Sequence, residues 1–68
     1  MATGVVTWFD EEKGFGFVRP DDGSEDVFVN LSVVDGGASC GLGESARVEF
    51  EIEVQPYGRE ASRLRVVV

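Results

Sequence analysis

Lys13-Gly14-Phe15-Gly16-Phe17-Val18 puts one cation, two glycines and two phenylalanines into six residues. In an extended strand, side chains two apart share a face. Phe15 and Phe17 therefore point one way, with Gly14, Gly16 and Val18 on the other. Periodicity does not assign an apolar run to a face. The pattern alone thus leaves two readings open, rings in a core or rings on an exposed stacking surface. Two features favour exposure. The opposite face, with Val18 and bare glycines, suits a bent strand packed inward. Further aromatics sit upstream at Trp8-Phe9 and downstream at Val27-Phe28-Val29.

Working outward, residues 2–10 read as a first strand containing Val5, Val6, Trp8 and Phe9. Strict alternation puts Val6 with Trp8, which conflicts with a buried valine and an exposed tryptophan, so a bend or bulge is expected here. Asp10 to Lys13 form a charged turn. The second strand spans 14–20 and stops at Pro20, which cannot donate a ladder hydrogen bond. Asp21-Asp22-Gly23-Ser24 has turn chemistry. A third strand at about 25–30 turns Val27 and Val29 inward and Phe28 and Asn30 outward. Ser32-Val33-Val34 suits one short helical turn. Residues 35–43 are glycine-rich and aperiodic, a long loop anchored by Leu42. Val48 to Val54 alternate apolar and glutamate, giving a fourth strand with apolar side chains inside and an acidic outer face. That face repels phosphate and guards an edge. Gln55-Pro56-Tyr57-Gly58 is a turn. A fifth strand at about 60–67 sets Leu64 and Val66 against Arg63 and Arg65. Five short strands without a convincing helix predict an all-β, five-stranded antiparallel barrel with one short 3-10 turn after strand three.

Sixty-eight residues make one small domain over 1–68, burying only roughly 60% of its unfolded surface. One cysteine, Cys40, excludes an internal disulfide and a multi-cysteine metal site. With no histidine, the commonest general base and metal ligand are missing. Cys40 has no histidine to activate it, and Glu49, Glu51 and Glu53 lie on a convex, wet face without a pocket. No enzyme, metal, cofactor or small-molecule substrate is expected. No apolar run reaches the ~20 residues of a membrane span, and Met1 to Gly4 is no signal peptide. A monomeric cytoplasmic protein is expected. The net charge of −7, from 13 acids against 6 bases, opposes nucleic-acid binding unless bases cluster locally or stacking carries the affinity.

Gly4, Trp8-Phe9, Lys13 to Phe17, Asp22-Gly23 and Asp26-Val27-Phe28-Val29 resemble the cold-shock proteins of the oligonucleotide-binding barrel group. The likeness continues through Ser32, Leu42, Val48, Phe50 and Ala61. It implies an OB-type barrel whose rings Trp8, Phe15, Phe17 and Phe28 stack the bases of single-stranded RNA or DNA. It also implies an RNA chaperone and a role in cold or stress responses. Bases stack on such rings at ~1–3 kcal/mol each. Lys13 is placed as a phosphate contact, and Asp26 and Asn30 as groups able to hydrogen-bond base edges. An RNA-recognition domain shares a similar glycine–phenylalanine motif, but needs two amphipathic helices and the reverse motif order.

The sequence departs from the family pattern at the rim. Thr7 replaces a usual lysine and Asp10 an asparagine. Asn30 and Leu31 replace histidine and phenylalanine. Ser39 and Cys40 stand where an aromatic and a base are usual, and Gly58-Arg59-Glu60 replaces Gly-Pro-Gln. The expected binder is therefore weaker and less specific than typical members, with Tyr57 and Arg59 partly compensating. A second function class is an acidic small-barrel protein-interaction module with degraded nucleic-acid binding.

Overall fold

Five segments with apolar side chains at two-residue spacing become five strands: β1 (Ala2–Asp10), β2 (Phe15–Pro20), β3 (Val27–Asn30), β4 (Arg47–Gln55) and β5 (Gly58–Val66). A 3-10 turn, Leu31–Val33, follows β3, as expected. The structure is a computed structural model and describes residues 1–35, 42–43 and 45–67. Ser39, Cys40 and most of the expected long loop lie outside the described residues. The strands close in the order β1-β2-β3-β5-β4, so the expected five-stranded barrel forms. One seam differs from the all-antiparallel expectation. β3 meets β5 in parallel, through the single ladder pair Phe28↔Glu60. Among the described residues, no helix is long and apolar enough to cross a membrane.

Val6, Val18, Val27, Val29, Val34, Val48, Phe50, Ala61 and Leu64 fill the barrel, and all are buried. Leu42 packs partly against this core and anchors the connection into β4.

The parity conflict in β1 is resolved by the expected bulge. Val6 pairs with Val18 but Trp8 pairs with Phe17, so Thr7 is the extra residue. Its hydroxyl donates to the Phe17 carbonyl at 3.2 Å. The chain before β4 then bonds to Val6 on its free side. The Val6 amide donates to the Ala46 carbonyl at 3.0 Å, and the Ser45 amide donates to the Val6 carbonyl at 2.8 Å. Past the bulge, inward and outward faces have exchanged places. Trp8 therefore points out, while Phe9 packs on the core.

The alternation of β4 holds only in its first half. Val48 and Phe50 are buried, but Ile52 and Val54 are exposed, Val54 at 81%. The ladder shifts register between Glu51 and Ile52. β1 pairs with β4 only from Val5↔Arg47 to Ala2↔Phe50. The β4–β5 hairpin thus runs on past the end of the barrel, where its apolar side chains have no core to enter. The outer face is also less acidic than its glutamates suggest. Glu49 sits opposite Arg65 and Glu51 opposite Arg63. Arg65 reaches Glu49 at 2.6 Å.

Candidate nucleic-acid interface

The sheet β1-β2-β3 turns Trp8, Phe15, Phe17 and Phe28 to one side. Register sets their spacing: Trp8 and Phe28 are both ladder partners of Phe17, and Phe15 is the partner of Asn30. The rings form one connected surface. Trp8 lies 5.3 Å from Phe15, edge-on, and 6.2 Å from Phe17. Phe28 lies stacked at 5.6 Å on Phe15 and edge-on at 5.9 Å to Phe17. These are the offset and T-shaped geometries that aromatic pairs prefer. Trp8 and Phe17 are exposed at 39% and 37%, while Phe15 and Phe28 are half-buried against their neighbours. The core reading left open by the sequence is thereby excluded.

Two glycines make this surface possible, by different means. Gly14 adopts φ of +79°, a conformation that glycine takes without penalty, and ends the turn into β2. Gly16 lies where β2 crosses β1 closely. A Cβ there would collide with the Trp8 carbonyl oxygen and lie 2.7 Å from Cδ1 of Phe9. The expected role of Gly16 in bending the strand is therefore a role in close approach.

The polar candidates are spread around the rings. Lys13 is exposed on the turn before Phe15, and its amide donates to Oδ1 of Asp10 at 3.0 Å. Asp10 thus organises the turn that presents Lys13. Oδ1 of Asn30 is engaged at 3.0 Å by the Ser32 amide, capping the 3-10 turn. Its amide nitrogen makes no hydrogen bond among the described residues. Asp26 is exposed, and its closest cation, Arg19, is 3.9 Å away. Tyr57 is 75% exposed, and its hydroxyl donates to Oε2 of Glu60 at 3.2 Å.

Arg59 is fixed by a relay that the sequence did not reveal. Asp22 accepts from both the amide and the hydroxyl of Ser24, and Arg59 donates to that hydroxyl oxygen at 3.3 Å. The two bonds from Ser24 hold the Asp22 carboxyl below its usual range. Ser24 and Glu60 are thus the residues that sequence reasoning missed. Glu60, three positions after Tyr57, was within reach of a hairpin argument; Ser24, remote in sequence from Arg59, was not.

Among the described residues, Arg47, Arg63, Arg65 and Arg19 each lie within 4.0 Å of a carboxylate. Lys13 and Arg59 form no such pair among the described residues. No group of three or more metal-ligating side chains occurs among the described residues.

The model of the 'Cold-shock' DNA-binding domain matches residues 2–67. The chain belongs to the cold-shock domain family. It is 45% identical over 67 residues to the probable cold shock protein A of Mycolicibacterium smegmatis, covering 98% of this chain and 100% of that one. It is 47% identical over 64 residues to the major cold shock protein of Micrococcus luteus, covering 94% and 96%. Among solved structures, the drosophila Unr CSD456 superposes with a TM-score of 0.78 at 22% identity. That match covers 98% of this cold-shock chain and 26% of the other, and it supports the fold.

Proposed function

We propose that this cold-shock domain binds single-stranded RNA or DNA by stacking unpaired bases on Trp8, Phe15, Phe17 and Phe28. The single observation that carries this reading is the continuity of the four rings on the outside of the barrel. A base has a π-face whatever its identity, so a strip of rings accepts any unpaired sequence. Lys13 supports the strand as a phosphate contact beside the strip. Asp26 and the amide nitrogen of Asn30 are in position to meet base edges. Occupying unpaired bases draws the equilibrium away from hairpins by mass action, which is all an RNA chaperone requires. No catalytic step is involved, and the protein acts as a monomer in the cytoplasm.

Binding is weaker than in relatives with a fuller rim, because Thr7, Asp10 and Leu31 supply neither cation nor ring. The protein-interaction reading loses ground, since arginines of β5 face the first two glutamates of β4. Titration with a short thymidine oligomer, followed by Trp8 fluorescence, tests the proposal. Strong quenching is expected; an unchanged emission with every single-stranded oligomer would refute it.

A further inference from the structure

The aromatic strip does not end at Phe28. Phe17 and Phe28 share an open cavity of about 380 Å3 with Tyr57, Arg59, Glu25 and Asp26. It lies where β3 meets β5, so the turn at Tyr57 comes beside the strip although it is remote in sequence. The Glu60 bond holds the Tyr57 ring, and the Asp22–Ser24 relay holds the Arg59 head. The lining is thus aromatic surface plus two kinds of polar group with opposite demands. The carboxylates of Glu25 and Asp26 only accept hydrogen bonds, and the guanidinium of Arg59 only donates them. Among the described residues Asp26 has no partner closer than 3.9 Å, and Arg59 has further N–H groups beyond the one given to Ser24.

The four bases meet these demands unequally. Guanine alone carries two adjacent donors, N1–H and the N2 amino group, together with the acceptor pair O6 and N7. Thymine and uracil offer one N–H flanked by carbonyl oxygens, which a carboxylate repels. Adenine and cytosine offer one amino group beside an acceptor nitrogen. We propose that this cavity is a guanine-selective subsite at the end of the stacking strip. Glu25 and Asp26 accept from the N1–H and N2 amino group, Arg59 donates towards O6 and N7, and Tyr57 adds a fifth ring. The proposal rests on the single-strand binding reading and adds the base that one position prefers.

The test compares a short thymidine oligomer with a set carrying one guanine at each position in turn, and with matching adenine and cytosine sets. Affinities are read from Trp8 quenching at one fixed salt concentration. At one position, guanine is expected to bind about five- to tenfold more tightly than thymine, the lower end of what a bidentate base contact supplies. In the double variant Glu25→Gln with Asp26→Asn, that guanine-to-thymine ratio falls towards one. Overall affinity rises when two negative charges leave the path of the phosphates, so the ratio is the informative readout. A guanine that is no better than thymine at every position overturns the subsite while leaving the strip intact. A ratio that survives in the double variant overturns it too. Failure of every oligomer to bind removes strip and subsite together.

Discussion

Phe28 and Phe50 are the same residue type put to opposite uses. Phe50 is fully buried among the core valines, whereas Phe28 lies half-buried between Phe15, Phe17 and the cavity. Replacing Phe50 with alanine is expected to cost about 3–5 kcal/mol of stability, the range for emptying a phenylalanine site in a core. In a domain of this size, thermal melting should find it largely unfolded. Phe28→Ala should stay folded and lose about 1–3 kcal/mol of affinity for single strands, measured by oligonucleotide titration. Equal losses of affinity in a still-folded Phe50→Ala protein would break that division. Asp21 ties three segments together at the surface. It accepts from the Thr3 hydroxyl at 2.7 Å and from both terminal nitrogens of Arg47, at 3.0 and 2.8 Å. The Arg47 hydrogen bonds, and then that from Thr3, hold its carboxyl below the usual range. A depressed folded-state pKa means stability present above the unfolded value of about 3.9 and lost as the pH falls through the folded value. The melting temperature should therefore drop on acidification below that range, and Asp21→Asn should drop less. Identical acid limbs in the two proteins would rule out this contribution.

At the scale of elements, the β1 bulge decides whether the tryptophan is inside or outside. Its need was legible, because Val6 and Trp8 share a parity that their roles do not. Gly16 faces the same stretch from β2, and Gly16→Ala would force a methyl against the Trp8 carbonyl. Overpacking against backbone of this kind costs roughly 1–3 kcal/mol. A loss of that size in urea melts, with Trp8 emission shifted in the folded state, is expected. β4 was less legible. Alternation correctly assigned Val48 and Phe50 to the interior, and it also promised Ile52 and Val54, which are exposed. A two-residue period states which side a residue takes, but not where the neighbouring strand stops covering that side. The rings were legible as a group from their spacing. The partners of Tyr57 and Arg59 were not, because Ser24 and Arg59 meet only after closure of the barrel.

The whole molecule carries a charge of −7 and yet is read here as a polyanion binder. Surface pairing leaves that net charge unchanged and occupies most of the arginines, so the rings have to carry the affinity. With Lys13 and Arg59 as the two cations outside such pairs among the described residues, at most about two phosphate contacts are available to an oligomer without guanine, and fewer where Arg59 faces a guanine. Single strands lose affinity with a log–log salt slope of roughly −0.7 per contact, giving about −1.4 here. Binding measured across a salt series should follow that shallow line; a slope steeper than about −3 would contradict a stacking-led mechanism. The parallel closure between β3 and β5 has its own outcome. Its one ladder pair, Phe28↔Glu60, is helped along the seam by the isolated bridge Val34↔Leu64. Among the described residues the seam is fastened at these two points alone, so it is expected to open before any antiparallel ladder does. Backbone deuterium uptake should start at this slit, ahead of the β1–β4 ladder. A polynucleotide lying from Phe28 across to Tyr57 would bridge the slit like a suture, so uptake there should slow when the ligand is added.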